Sequence, residues 1–219
     1  MPNSPVGGKA VLFDIDGTLL DTVPLIVESY QHVFSTCLGH PIDPAVILAG
    51  IGTPLDAFFR QFWPDQADEM RKIYLRHNHA RLNTHIGIFR QVPDLLESLF
   101  RRSIPMAVVT SKSRDSAMHG LAFFDIERFF QAFIVKESTT RHKPDPEPVF
   151  EAMRQLGLSD PARVIFVGDS LHDLNSAKQA GCHSAIVDWT AMPAEGLRAA
   201  KPDLWIRNGQ ELADYLEII

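Results

Sequence analysis

The stretch "VLFDIDGTLLDT" (residues 11–22) carries the strongest signal for the fold, because a run of apolar residues leads directly into two carboxylates. Asp14 and Asp16 are two residues apart, so their side chains point the same way in an extended chain. Like charges placed so close together repel each other, which raises the pKa of one acid or recruits a cation. We therefore expect a buried strand that ends in a functional site.

Short apolar runs without polar alternation recur along the chain and predict strands that are buried on both faces, as in a parallel sheet. Helical patterns separate them at residues 93–102, 146–156 and 171–180, with Gly157 and Gly181 where helices would end. This alternation predicts an α/β fold with a doubly wound parallel sheet. The predicted strands cover residues 10–13, 106–110, 132–135, 164–168, 184–187 and 204–206.

The interval between the first two predicted strands is long and helical, which predicts an inserted subdomain of roughly four helices. Four apolar side chains share one face of its first helix: Ile26, Tyr30, Val33 and Phe34. We expect a core domain of residues 1–21 and 86–219, and a helical insert of residues 22–85. The insert follows the carboxyl end of the first strand, where open α/β sheets bind ligands, so it would be able to cover a site there.

Composition excludes some functions and favours one compartment. The 219 residues carry a net charge of −6 without a basic cluster, so we expect no nucleic-acid surface. No apolar run reaches the roughly 18 residues of a membrane span. The start, "MPNSPVGGK", lacks a signal-peptide core and predicts an unstructured lead-in. Cys37 and Cys182 are far apart in the sequence, which favours two free thiols in a reducing cytoplasm, with a disulfide as the alternative. The sequence is equally compatible with a monomer and a homodimer.

Polar residues also follow the later strands. Thr110 and Ser111 come at the end of the second predicted strand, and Lys143 lies after the third. The fourth ends in "VGDSLHD", which contains Asp169 and Asp173. Because parallel strands present their carboxyl ends at one edge of the sheet, we expect these side chains to meet there with Asp14 and Asp16.

Such a cluster has a chemical logic. Four carboxylates held together need a hard cation, and ligation by oxygen alone suits Mg²⁺. Thr110, Lys143 and the backbone N–H groups after Asp14 would bind phosphoryl oxygens. One acid beside this cradle can attack phosphorus and form an aspartyl phosphate, and a second can protonate the leaving oxygen and then activate water.

Four motifs at these residues, "DIDGTLLDT", "VVTSK", "KPDPEP" and "VGDSLHDLNSAKQAG", resemble those of the haloacid dehalogenase superfamily. They occur in the same order, over nearly the whole chain, with a helical cap in the corresponding gap. The chain is most similar to the phosphoglycolate phosphatases and to the pyrophosphatases with the same small cap. The resemblance implies a Mg²⁺-dependent phosphatase.

The resemblance also implies a metal site and two catalytic acids. Asp14 would be the nucleophile and a metal ligand, and Asp169 would be a further ligand. Asp16 would be the acid–base and would offer its backbone carbonyl to Mg²⁺. Asp173 would bind the metal or position its water.

Phosphate binding is implied for Thr110, for Lys143 and for a backbone N–H of Ser111. The dehalogenases proper lack the second acid of the first motif, so the presence of Asp16 favours phosphoryl transfer over cleavage of a carbon–halogen bond.

The resemblance leads us to expect a small phosphorylated metabolite as the substrate, with phosphoglycolate first. Inorganic pyrophosphate is the alternative, because "VVTSK", "KPDPEPV" and "VDWT" also resemble the pyrophosphatase branch. A sugar-phosphate mutase is a third reading, and a non-catalytic protein that binds a partner is a fourth. Substrate selection would lie in the insert, where each of four cations could contact a substrate carboxylate or face water: Arg60, Lys72, Arg76 and Arg81.

Simpler structural readings compete at several positions. Asp16 and Gly17 could form an ordinary turn. Asp173 could be a helix-start acid, Ser111 and Ser170 could be caps, and Asp21 or Thr22 is expected to cap the first insert helix.

Other motifs in the insert favour structure over chemistry. "GIGTP" (residues 50–54) is an exception: an ordinary turn between insert helices would explain it, but the resemblance implies a loop that faces the substrate. A solvated helix face is expected instead of a zinc site for His77, His79 and His85. An insert core is expected for Phe58, Phe59, Phe62 and Trp63.

Overall fold

The computed structural model describes residues 8–219, so residues 1–7 of the predicted lead-in lie outside the described residues. Its main sheet has six parallel strands: β1 (Ala10–Phe13), β4 (Met106–Val109), β5 (Ala132–Ile134), β6 (Val164–Gly168), β7 (His183–Val187) and β8 (Leu204–Ile206). They lie in the order β5-β4-β1-β6-β7-β8. The first of these strands in the chain, β1, is therefore central, and the predicted α/β parallel sheet is confirmed.

Helices cover both faces of this sheet, which explains why its strands lack polar alternation. These helices are α5 (Val92–Arg101), α6 (Arg114–Phe123), α7 (Glu147–Leu156), α8 (Leu171–Ala180), α9 (Ala194–Ala199) and α10 (Gly209–Ile218). Along β1, Val11 and Phe13 pack into a core with α5, α6 and α10, while Leu12 packs into a second core with α7 and α8. Gly157 and Gly181 end α7 and α8 in left-handed conformations, as predicted.

Residues 23–85 form four helices with an aromatic core of their own. Phe58 and Phe59 are buried there and Tyr30 lies between them and Tyr74, whereas Phe62 is 38% exposed. The predicted face of the first helix is buried. The helices are α1 (Val23–Leu38), α2 (Pro44–Gly50), α3 (Leu55–Phe62) and α4 (Ala67–His85).

A short antiparallel pair joins the insert to the core. β2 (Leu20–Asp21) pairs with β3 (Gly87–Ile88), so the chain leaves the core and returns to it at one place. The sequence did not predict this neck, because two-residue strands leave no periodicity to detect. The neck supports the proposed division at residues 22–85.

Both cysteines of the described residues are free thiols, as predicted. Cys182 is buried and Cys37 is partly exposed. Within residues 8–219, no helix combines the length and the apolarity that a bilayer crossing requires.

Candidate active site

Adjacent strands deliver the predicted polar residues to one edge of the sheet. Asp14 directly follows β1, Thr110 follows β4 and Asp169 follows β6, and these strands lie side by side. The backbone N–H of Asp14 donates to the carbonyl of Val167 at 3.0 Å, so the ladder continues up to the first acid. The positions of these side chains are therefore set by the sheet itself.

Three of the carboxylates form a buried cluster. One oxygen from each of Asp14, Asp169 and Asp173 lies within 4.8 Å of the others, and all three residues are at most 5% exposed. The Lys143 Nζ lies 2.8 Å from the Oδ1 of Asp14 and 2.7 Å from the Oδ1 of Asp173. Three acids around one lysine leave an excess of negative charge in a buried place, where unpaired charge is costly.

The first turn of α8 fixes Asp173. Its Oδ2 accepts hydrogen bonds from the Ser170 hydroxyl at 2.7 Å and from the Ser170 backbone N–H at 3.1 Å. Ser170 caps α8 in return by accepting from the Asp173 backbone N–H. Asp173 is thus both a helix-start acid and a member of the carboxylate cluster.

Burial controls the protonation of the cluster. The pKa of Asp14 is raised to about 7, mainly by burial, with Asp173 and Asp16 acting in the same direction and Lys143 acting against it. The pKa of Asp169 is raised well above its usual range by burial and by its acidic neighbours. Burial also acts to raise the pKa of Asp173, but Lys143 and the Ser170 hydrogen bonds outweigh it and lower that pKa. A cation at the cluster would favour the ionised forms.

The donor set fits Mg²⁺. Among residues 8–219, the Oδ1 of Asp169 is buried without a hydrogen-bond partner, whereas the Oδ1 of Asp14 lies 2.8 Å from the Lys143 Nζ. Buried polar atoms are normally satisfied, so the unpaired Asp169 oxygen marks a position where a cation would complete the cluster. Oxygen donors alone are what Mg²⁺ prefers.

Asp16 lies apart from this cluster and has different partners. Its Oδ1 accepts from the Thr22 hydroxyl at 2.5 Å, and the Lys112 Nζ lies 2.7 and 3.0 Å from its two oxygens. Lys112 was not singled out in the sequence, although it is the last residue of "VVTSK". The predicted cap by Thr22 is wrong in part, because Thr22 does precede α1 but its hydroxyl bonds Asp16 instead of the helix.

Gly17 is more than an ordinary turn residue. It has a φ of +74°, and a Cβ there would lie 2.2 Å from the Oδ2 of Asp169. Only glycine lets the chain pass so close to the cluster in this conformation.

The insert covers the site and encloses a cavity of about 110 Å³. This is smaller than the pockets of about 300–1,000 Å³ that hold drug-sized ligands, which favours a small substrate. The core side of the lining includes Asp14, Asp16, Thr110, Ser111, Lys112, Lys136 and Lys143, and the insert side includes Tyr30, Gly52, Thr53, Asp56, Arg71, Tyr74 and Asn78.

Two polar contacts join the insert to the core beside the cavity. The Ser111 hydroxyl donates to the carbonyl of Gly52 at 2.6 Å, and the Lys136 Nζ lies 2.6 Å from the Oδ1 of Asp56. The "GIGTP" loop therefore faces the site. The predicted alternative of Ser111 as a helix cap is wrong, because Ser113 precedes α6.

None of the four predicted insert cations lines the cavity. Arg60, Lys72 and Arg76 are exposed, and Arg81 pairs with Glu28 at 3.1 Å. The cation that lines the cavity from the insert is Arg71, which the sequence pattern did not single out.

The histidines of α4 form no metal site in the described part of the chain. His79 and His85 are exposed as predicted, but the solvated position predicted for His77 is wrong. His77 is buried, its Nδ1 lies 3.2 Å from the Ser29 hydroxyl, and its ring stacks on His32. Its partners lie on α1, which helical spacing within α4 cannot reveal.

Comparison with known proteins identifies the family. Residues 11–187 match the family model described as haloacid dehalogenase-like hydrolase. The chain belongs to this family. The resemblance inferred from the four motifs is thereby confirmed, and the protein is a haloacid dehalogenase-like hydrolase.

Curated relatives of this hydrolase carry the name PpaX. A PpaX protein of Clostridium perfringens is 37% identical over 209 residues, which is 95% of this chain and 97% of the relative. The pyrophosphatase PpaX of Bacillus velezensis is 35% identical over 209 residues, with 95% of each chain covered.

Solved structures agree on the fold. A haloacid dehalogenase-like hydrolase from Streptococcus pneumoniae superposes with a TM-score of 0.80 at 27% identity, covering 94% of this chain and 97% of the other. A predicted phosphoglycolate phosphatase from Haemophilus somnus reaches 0.82 at 24% identity, covering 96% and 97%. The second likeness concerns the fold alone.

Proposed function

We propose that this hydrolase is a Mg²⁺-dependent phosphatase that transfers the phosphoryl group of a small substrate to Asp14 and then to water. The observation that carries the proposal is the buried cluster of Asp14, Asp169 and Asp173, in which Asp14 lines the cavity and the Oδ1 of Asp169 has no hydrogen-bond partner. A non-catalytic binding protein would not need this costly arrangement.

Mg²⁺ would be held by the side chains of Asp14 and Asp169 and by the backbone carbonyl of Asp16, with Asp173 binding it directly or through a water. When bound, the ion neutralises charge on the phosphoryl oxygens and the carboxylates. Lys143 is already present between two of the acids, and its pKa is raised by Asp14 and Asp173 against the lowering effect of burial, so it stays protonated. We assign phosphate binding to Lys143, Thr110 and the backbone N–H of Ser111.

The covalent steps use the two acids of the opening stretch. A carboxylate oxygen of Asp14 attacks phosphorus, and the bond from phosphorus to the leaving oxygen breaks. Asp16 gives a proton to that leaving oxygen. Asp16 then accepts a proton from the water that attacks the aspartyl phosphate, which releases phosphate and restores Asp14. Thr22 and Lys112 orient the Asp16 carboxylate for both transfers.

We place inorganic pyrophosphate first among the substrates and phosphoglycolate second. The support for pyrophosphate is the name of the relatives that match 95% of the chain. Phosphoglycolate, the first expectation from the sequence, has a carboxylate where pyrophosphate has its second phosphate, so both present an anion to the insert. The described residues contain no feature that favours a mutase. The cytoplasm remains the expected compartment, supported by the two free thiols.

A substrate panel with Mg²⁺ tests the proposal. Pyrophosphate, phosphoglycolate and a sugar phosphate are compared by kcat/KM, with Asp14→Asn as the inactive reference. The highest value is expected for pyrophosphate. No hydrolysis of any phosphate compound by the wild type would refute the proposed function, whereas a preference for phosphoglycolate would refute only the order of the two substrates.

A further inference from the structure

Four cations line the cavity, and they differ in what they contact. Three are lysines of the core: Lys112, Lys136 and Lys143. The fourth is Arg71, which lies near the start of α4 in the insert and is half-buried.

Each of the lysines already has a carboxylate partner. Lys143 contacts Asp14 and Asp173, at 2.8 and 2.7 Å. Lys112 contacts Asp16 at 2.7 Å, and Lys136 contacts Asp56 at 2.6 Å. Their charges are therefore largely matched before any substrate arrives.

Arg71 makes no ion pair and no side-chain hydrogen bond with any residue in the described range 8–219. The contrast with its neighbour on the helix is informative, because Lys72 is exposed and pairs with Glu69 outside the cavity. The charge of Arg71 acts on Asp56 without direct contact, and Asp56 is already paired with Lys136. An anionic ligand would therefore give the half-buried guanidinium a direct partner.

We propose that Arg71 binds the second anionic group of the substrate, the one that is not transferred to Asp14. The inference rests on the proposed function for the position of the transferred phosphoryl group. With that group at Asp14 and Thr110 on the core wall, the remainder of a small substrate extends towards the insert wall, where Arg71 lies.

The chemistry of the guanidinium defines the substrate class. Its planar donors match the oxygens of a phosphate or a carboxylate in a bidentate manner. The class is therefore a small diphosphate or a phosphorylated carboxylic acid. A phosphate ester with a neutral remainder, such as a sugar monophosphate, would leave Arg71 without a partner.

Binding is measured first, because it does not depend on turnover. Calorimetric titration with methylenediphosphonate, a diphosphate that resists hydrolysis, is compared with titration with inorganic phosphate in the presence of Mg²⁺. In Arg71→Gln the loss of affinity for methylenediphosphonate should exceed the loss for phosphate by at least about tenfold. Arg71→Lys should recover part of the difference, since the charge remains.

Kinetics supplies the second measurement and its control. For Arg71→Gln, the fall in kcat/KM should be at least about tenfold greater for pyrophosphate than for p-nitrophenyl phosphate, mostly through KM. Arg76→Gln is the matched control, because it removes the same charge from an exposed position of the same helix outside the cavity. It should behave as the wild type.

The role of Arg71 would be overturned if Arg71→Gln lost equal affinity for methylenediphosphonate and phosphate, or lost none for either. Equal falls in kcat/KM for pyrophosphate and p-nitrophenyl phosphate would overturn it as well. So would a wild type that binds neither methylenediphosphonate nor phosphate. A wild type that hydrolyses no phosphate compound but binds methylenediphosphonate through Arg71 would refute the proposed function and leave Arg71 with a role in anion binding alone. Thermal unfolding of each variant confirms that it is folded.

Discussion

The cavity has two walls that are built in different ways. On the core wall, Asp14 continues a strand whose backbone hydrogen bonds extend into the site, and Lys143 contacts Asp173, which the capping box of α8 holds in place. On the insert wall, Arg71 and the loop at Gly52 belong to the helical insert, which joins the core through the two-residue strands of the neck. The core wall is suited to chemistry that needs fixed distances, and the insert wall to recognition that can change without disturbing them.

The largest expected effect is on the core wall. Asp14→Asn keeps the shape of the side chain but removes its nucleophilic charge, so activity should fall at least about a thousandfold, equivalent to about 4 kcal/mol. Rapid-quench analysis with labelled substrate should trap a phosphoenzyme in the wild type only. Asp94→Asn, an exposed acid on α5, is the control. Substantial residual turnover in a pure Asp14→Asn preparation would remove Asp14 from its role.

The metal provides a second test of the same wall. A chelator should abolish activity and Mg²⁺ should restore it, while Ca²⁺ should inhibit because its larger coordination sphere misplaces the nucleophile. Mg²⁺ should also raise the unfolding temperature of the wild type, by an amount equivalent to about 2.7 kcal/mol at a hundred times Kd. Asp169→Asn should lose that shift. Full activity after exhaustive chelation would contradict the assignment.

A third comparison concerns Asp16, the second acid of the core wall. Asp16→Asn should lose about 10²–10⁴-fold for a substrate whose leaving oxygen needs a proton. The loss in the first step should be smaller for p-nitrophenyl phosphate, whose phenolate leaves readily, and the phosphoenzyme should accumulate. Burst size and steady rate, measured by rapid quench, separate the two steps. Equal losses for both substrates without a trapped intermediate would leave Asp16 as a structural residue.

The smallest effect is expected where the insert meets the core. Lys136→Met removes the partner of Asp56, and both side chains are partly exposed, so the change in stability should stay within about 1 kcal/mol. KM should rise more than kcat falls, because the insert wall shifts relative to the core wall. A double-mutant cycle with Asp56→Asn measures the coupling. Additive effects in that cycle would show that the ion pair does not hold the insert.

The sequence predicted the core wall far better than the insert wall, for a physical reason. In a parallel sheet the end of each strand marks the edge, so the positions of Asp14 and Asp169 follow from local patterns. On a helix, the face that meets a cavity depends on how the helix packs. Arg71 and Arg76 are equally plausible in the sequence of α4, yet only the first lines the cavity.

Pairings between distant residues were missed for a related reason. Lys112 meets Asp16 across 96 positions, and His77 meets Ser29 across 48. Neither contact leaves a periodic signal. The neck was missed because two paired residues are too few to form a pattern.

The strand order has a consequence for how the chain folds. β1 pairs with β4 and β6, so its partners begin about a hundred or more residues later, at Met106 and Val164. The helices of the insert contact one another over much shorter separations, and local contacts form faster than distant ones. During synthesis we expect the insert to become compact while β1, which leads into Asp14, is still unpaired because β4 and β6 have not yet been made. Asp14 then gains its surroundings only after β6 and the start of α8 have been made, so the proposed catalytic centre is expected to be among the last parts of the molecule to form.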